Sequence, residues 1–181
     1  SIIMAKDSGL TIPIIYNTSG YDRVESLKLL EGLIDIYLPD FKYYNDKLGK
    51  YSNISNYFET ASLALKEMYR QVGKLRYNKD GILVKGMIVR HLVLPNNYDD
   101  SKKIIKYLYD NYKDNIIISI MNQYTIIRKL EYSELNDKVD EKEYDEIINY
   151  AYDLGIRNAF IQEDSSQSDS FIPSFKGDMI I

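Results

Sequence analysis

Asp40 and Lys42 stand two residues apart beyond the apolar run Ile34-Asp-Ile-Tyr-Leu38, so on an extended segment they face the same side. A carboxylate beside an ammonium can hold a zwitterion, the lysine taking its carboxylate and the aspartate its ammonium. A surface ion pair at a turn set by Pro39 is the plainer alternative. Arg90 and His91 follow Met87-Ile-Val89, another apolar run. An unpaired charge is expensive there, so one of the two must find a partner or a ligand. Strand alternation sends them to opposite faces. Arg90 turned to the interior suits a bidentate grip on a carboxylate. His91, the only histidine, fits a satisfied core residue better than a base. Asn17-Thr-Ser-Gly20 follows Ile12-Pro-Ile-Ile-Tyr16 and offers hydroxyls, an amide and a glycine backbone at a helix entrance, where N–H groups receive an anion or a sugar hydroxyl. An ordinary turn capped by Asp22 is the simpler reading of the same residues. Asn122 and Gln123 end the run Ile116-Ile-Ile-Ser-Ile-Met121 and either read a ribose or adenine edge or merely cap the strand.

Each cluster thus terminates an apolar run of the kind that forms strands buried on both faces, and in α/β barrels and open α/β sheets ligands lie beyond the carboxyl ends of such strands. The repetition predicts one shared site. The elements that must build it alternate. Residues 2–8 read as a helix closed by Gly9, 12–16 as a strand, and 22–31 as a helix with a capping box at Asp22 and Glu25. A strand over 33–38 leads to a looser segment with Tyr43, Tyr44 and Tyr51. The strongest helix starts at Asn56 as N-cap, with Phe58, Ala61, Leu65, Met68 and Val72 on one face and Gly73 beyond its end. Asp80-Gly81 predicts a hairpin over 75–86, read as an insertion before a strand at 87–94. A helix over 99–112, a strand over 116–121, a long loop, a helix over 140–154 capped by Asp140 and Glu143, and a strand at 158–162 complete the pattern. The polar stretch Glu163 to Ser170 reads as a flexible turn or tail before Phe171-Ile-Pro-Ser-Phe175. Alternating strands and helices imply parallel strands joined by right-handed crossovers, hence an α/β fold in a single domain over 1–181.

Composition narrows the function classes. The net charge of -4, with Lys and Arg scattered, argues against nucleic acid as a partner. No stretch approaches the roughly 18 apolar residues that cross a bilayer, so a cytoplasmic location and no membrane are expected. The absence of cysteine rules out disulfides, thiolate nucleophiles and any cluster or zinc site held by thiolates of this sequence. No glycine-rich phosphate loop or Ser-His-Asp signature occurs, and the acidic residues from Glu131 to Glu141 read as a solvated face.

Together, Tyr16-Asn-Thr-Ser-Gly-Tyr21, Asp35-Ile-Tyr-Leu-Pro-Asp-Phe-Lys-Tyr43, Arg90-His-Leu-Val-Leu-Pro95 and Met121-Asn-Gln-Tyr124 resemble radical S-adenosylmethionine proteins, in particular the group similar to pyruvate formate-lyase activating enzyme. The resemblance covers nearly the whole chain. It implies the C-terminal portion of a partial (β/α)6 TIM-like barrel, from its fourth strand onward, with the CxxxCxxC loop that binds a 4Fe-4S cluster and the Gly-Gly-Glu-Pro-like segment both missing. It also implies roles. Asn17, Ser19 and Gly20 match the polar turn that meets the ribose or methionine part of the cofactor. Asp40 and Lys42 match an aspartate-x-lysine near the methionine carboxylate and amino groups, and Arg90 a basic residue near the cofactor. Asn122 and Gln123 stand where activases place a ribose-facing or adenine-facing group, and Thr125-Ile-Ile127 departs from the proline and cysteine that often follow.

The parent enzyme would cleave S-adenosylmethionine reductively to a 5'-deoxyadenosyl radical that abstracts hydrogen, with a glycyl-radical-type protein as substrate; this fragment would contribute cofactor contacts and be inactive alone. The alternatives are a non-catalytic binding or assembly module that keeps the half barrel, and a barrel lyase or hydrolase using Asp40 and His91. A half barrel leaves strand edges uncovered, so self-association, or edge protection by the 75–86 hairpin, is expected.

Overall fold

The computed structural model describes residues 2–124 and 129–161. Its strands follow the apolar runs. β1 (Ile15–Thr18), β2 (Ile36–Pro39), β4 (Leu83–Leu92), β5 (Ile117–Met121) and β6 (Ala159–Ile161) pair in parallel in that spatial order, and β3 (Arg76–Tyr77) pairs antiparallel with the start of β4. The helices are α1 (Ile2–Asp7), α2 (Val24–Lys28), α3 (Tyr57–Val72), α4 (Tyr98–Tyr112) and α5 (Glu141–Leu154). The strand order never reverses, so right-handed crossovers place α2 to α5 on one side of the sheet.

Burial along the strands records this one-sided packing. Met87, Val89, His91 and Val93 are buried, as are Ile118 and Ile120, whereas the alternating Ile88, Arg90, Leu92, Ser119 and Met121 are only half-buried. The buried set meets Ala61, Leu65 and Met68 of α3, Ile104, Ile105 and Leu108 of α4, and Ile147 of α5 in a single core. Each Leu, Ile, Val or Met of this set contributes about 1.5–3 kcal/mol relative to leaving it in water.

Several expected boundaries move, for local reasons. The helix expected over 22–31 is only Val24–Lys28, because Asp22 caps nothing: its carboxylate accepts from the Thr18 hydroxyl at 2.5 Å and the Tyr16 hydroxyl at 3.2 Å. Asn56 likewise fails as a cap. It sits in the left-handed region at φ 52°, and the Phe58 N–H donates instead to Asp46 Oδ1 at 3.0 Å. The 75–86 hairpin forms, with Asn78 Oδ1 accepting from the Asp80 and Ile82 N–H groups, yet it is no insertion: β4 runs unbroken from Leu83 through Leu92. Because it pairs with central β4, it shields neither edge, and among the described residues no strand pairs with the outer side of β1 or β6. The Asp140 cap forms as expected, accepting from the Glu143 N–H at 3.1 Å. Gln162, the 163–170 stretch, Phe171 to Phe175 and Thr125 to Ile127 lie outside the described residues.

His91 is a bolt between layers. Its Nδ1–H donates to the Phe41 carbonyl at 3.0 Å, and its Nε2, 2.9 Å from the Ser101 hydroxyl of α4, accepts from it. That pattern requires the neutral ring. Complete burial pushes its pKa from the ordinary 6.5 down to about 4, so the unfolded chain takes up a proton that the folded one refuses. The resulting stability is fully present above pH 6.5 and is lost as pH falls toward 4. Between pH 7 and 5 the chain should lose about 2 kcal/mol more stability than its His91→Gln variant. Urea midpoints at the two pH values measure the difference, and parallel losses in the two proteins refute it.

Candidate functional site

The charged pair of the sheet forms where the ladder outlasts the strands. Beyond Pro39 the chain stays extended: the Asp40 N–H donates to the Thr18 carbonyl at 2.9 Å, the Phe41 N–H donates to the Arg90 carbonyl at 2.8 Å, and Asp40 stands in parallel register with Arg90. Arg90 is in turn paired with Ser119, and Ser119 with Phe160. Partners in a parallel ladder point to one side, so Asp40, Arg90, Ser119 and Phe160 form a row across the face that carries no helix. Arg90 Nη2 lies 2.6 Å from Asp40 Oδ1 and donates to Asn17 Oδ1 at 2.8 Å. Lys42 Nζ is 3.9 Å from Asp40 Oδ2. Two cations thus share one carboxylate. Arg90 Nε, shut off from solvent, has no hydrogen-bond partner among the described residues.

Above this row opens a cavity of about 300 Å³ lined by Asp40, Lys42, Tyr43, Arg90, Leu92, Leu94 and Met121. One end is charged; the other is apolar. Alternation along β4 puts positions 90, 92 and 94 on the same side, and Met121 sits in register with Leu92.

Backbone closeness beneath the cavity depends on Gly20 and Tyr57. Gly20 is buried at φ +77°, and a Cβ there would lie 2.0 Å from the Asp40 carbonyl oxygen. No other residue fits. The Tyr57 hydroxyl accepts from the Lys42 N–H at 2.8 Å and lies 3.3 Å from both the Ser19 and Asp40 carbonyls, one of which takes its proton. Its ring stacks on Tyr21 at 6.0 Å. Burial raises the Tyr57 pKa, which keeps that proton in place. Tyr57 therefore rivets the turn after β1 to the segment after β2.

The expected residues separate into groups. Asn17, Asp40, Lys42 and Arg90 converge. Gly20 acts through its missing side chain, and exposed Ser19 meets Tyr57 only through its carbonyl. Asn122 is half-buried and Gln123 exposed, just past Met121 and outside the cavity lining. His91 points to the helix side with both nitrogens engaged, which removes the Asp40–His91 acid–base reading. The apolar lining of Leu92, Leu94, Met121 and Tyr43 was missed, although the 90–92–94 spacing signalled half of it. Tyr57 has the local appearance of a packing tyrosine on a helix, and nothing in the neighbouring sequence marks it otherwise.

A second polar cluster ties remote loops together. Glu134 accepts from Lys50 Nζ at 3.0 Å and from the Tyr51 hydroxyl at 2.8 Å, while Lys50 lies 4.9 Å from the ring centres of Tyr51 and Tyr132. A backbone hydrogen bond first, and then the bonds from Lys50 and Tyr51, lower the Glu134 carboxyl pKa to about 2. Asn96 donates to the Glu134 carbonyl, so the segments after β2, β4 and β5 are joined. Among the described residues no group of His, Asp or Glu could hold a metal ion, and no helix is long and apolar enough to cross a membrane.

No family model matches the chain. An uncharacterized protein of Methanocaldococcus jannaschii is 31% identical over 145 residues, covering 77% of this chain and 38% of the relative. The chain therefore spans about two fifths of the relative's length.

Gly20→Ala should destabilise the fold by more than about 1 kcal/mol, because strain at positive φ adds to the clash with Asp40. Tyr57→Phe should cost about 1 kcal/mol by removing the acceptor of the part-buried Lys42 N–H. Thermal unfolding of both variants tests the rivet, and unchanged midpoints would refute it.

Proposed function

We propose that this chain forms part of a radical S-adenosylmethionine protein similar to pyruvate formate-lyase activating enzyme, contributing one wall of the cofactor cradle in the C-terminal portion of a partial (β/α)6 barrel. The observation that carries the reading is the convergence of Asn17, Asp40, Lys42 and Arg90 beyond the carboxyl ends of a singly wound parallel sheet. The donor set suits the methionine end of S-adenosylmethionine. Lys42 and Arg90 would take the carboxylate, Asp40 the ammonium, and Asn17 a hydroxyl or amine nearby. The unpartnered Arg90 Nε supplies one donor still seeking an acceptor. The cluster is different: with no cysteine in the sequence, these residues do not fit a 4Fe-4S centre, and its ligands would belong to another part of a longer protein.

When bound at such a centre, S-adenosylmethionine supplies the one-electron chemistry that removes a hydrogen atom from a substrate. The residues here do the rest. Lys42 and Arg90 orient, Asp40 holds the ammonium proton, and Leu92, Leu94, Met121 and Tyr43 keep water from the charged end. A glycyl-radical-type protein as substrate and a cytoplasmic setting belong to this reading, as does self-association through uncovered strand edges. The absence of cysteine favours a second reading, a non-catalytic module that binds a zwitterionic small molecule in the same cavity.

Calorimetric titration of the chain with S-adenosylmethionine should show saturable binding that Lys42→Ala and Arg90→Ala each weaken about tenfold, the loss of one charge-assisted hydrogen bond. No heat of binding would overturn the cofactor reading. Saturation by free amino acids but not by S-adenosylmethionine would replace it with the second.

A further inference from the structure

Beyond the ladder bond from the Phe41 N–H to the Arg90 carbonyl, the chain must still hold out Lys42 and Tyr43 to the cavity. Past the Lys42 N–H, taken by Tyr57, its donors turn to α4. The Tyr44 N–H donates to Asp100 Oδ2 and the Asn45 N–H to Asp100 Oδ1, each at 2.8 Å. Asp100 belongs to the first turn of α4, where an acidic residue ordinarily stays in water and answers the free N–H groups of its own helix. Here it is 9% exposed and spends both oxygens on another segment. We propose that Asp100 is the positioning residue of the cavity: by fixing two peptide groups just after Tyr43, it sets where Lys42 and Tyr43 meet a ligand. The proposal rests on the reading of this cavity as a ligand site, whichever zwitterion fills it.

Charge, geometry and neighbours carry the assignment. Burying a carboxylate is costly unless its hydrogen bonds offset the loss of water. Burial raises the Asp100 pKa, and the Tyr44 and Asn45 N–H groups, followed by Lys103, work against that rise. Both bonds are charge-assisted, and two of them on one carboxylate fix direction as well as distance. The next residue, Ser101, reaches the same segment on its other side. Its hydroxyl holds His91 Nε2, and His91 Nδ1 holds the Phe41 carbonyl. Two consecutive residues of α4 therefore pin the chain before and after the Lys42–Tyr43 pair. The Tyr43 hydroxyl is bound to Ser52 Oγ at 2.8 Å, so the tyrosine offers the cavity its ring, placed by the backbone on either side.

In the full chain, Asp100→Asn keeps the shape but sets an amide NH2 against one of the two N–H groups. Magnetic resonance should show the Tyr44 and Asn45 amides exchanging with solvent about tenfold faster, and the Lys42 side-chain amine and Tyr43 ring signals displaced. Leu108→Ala, a change in the buried core of the same helix, should lower the unfolding midpoint and leave those signals in place. S-adenosylmethionine should bind Asp100→Asn about tenfold more weakly than the wild type, and Leu108→Ala as the wild type does. Asp100→Glu, for which an adjoining cavity of about 360 Å³ leaves room, keeps the charge and should displace the Lys42 and Tyr43 signals too, which decides the matter where Asp100→Asn fails to fold. Freed Tyr44 and Asn45 amides beside unmoved Lys42 and Tyr43 signals would overturn the proposal, leaving Asp100 a role in stability alone. Equal displacement in Leu108→Ala would overturn it as well. A wild-type chain that takes no S-adenosylmethionine refutes the cofactor reading instead, because the Lys42 and Tyr43 signals are read without ligand.

Discussion

The handedness of the crossovers governs this molecule. Five parallel strands laid down in sequence order leave no point at which a helix passes to the other side. Residues alternate along each strand, so a choice made once at β1 divides the whole sheet: Val89, His91 and Val93 go to the helices, Arg90 and Leu92 to the opposite face. The core and the candidate site are two sides of the same strands. A shift of one residue in β4 would exchange them, placing a guanidinium in the core and a histidine in the cavity.

The Asp40–Arg90 pair sits on that second face with side chains 23% and 28% exposed. Pairs so accessible to water contribute on the order of 0–1 kcal/mol, far less than the helix-side core. Such a pair is a poor clamp but a good reservoir. A ligand ammonium can compete for Asp40 at little cost, and the guanidinium released can turn to a carboxylate. The backbone does not share this looseness. Gly20 pressed on the Asp40 carbonyl, and the Tyr57 hydroxyl on the Lys42 N–H, fix the main chain while leaving the charged ends free to exchange partners.

Alternating runs made the strands and the long helices legible, because burying a stripe of Ile, Leu and Met is a local property of spacing. Charges at run ends were legible for the same reason: Asp40, Lys42 and Arg90 interrupt patterns that would otherwise be wholly apolar. Caps were less so. Asp22 and Asn56 carry the right side chains at the right spacing, yet Thr18 and Tyr16 claim the first, and Asp46, remote from α3 in sequence, supplants the second. Tyr57 was hidden more deeply. A tyrosine at the first turn of a helix has the same local appearance whether it packs or rivets, and only the fold brings Lys42, Ser19 and Asp40 to its hydroxyl.

The contacts around Glu134 show why the loops beyond the strands could not be read from any one segment. Lys50 and Glu134 are 84 residues apart, and Asn96 joins them through the Glu134 carbonyl, so these loops are tied together only by contacts remote in sequence. Their separate exposure makes each bond weak, but three loops tied at one residue, through the carboxylate and the carbonyl of Glu134, lose far less entropy per added contact than three tied independently. The floor, by contrast, is set as soon as β2 and β4 pair. A rigid floor of backbone hydrogen bonds beneath side chains that can exchange partners is the arrangement expected where a ligand enters beyond the carboxyl ends of the strands.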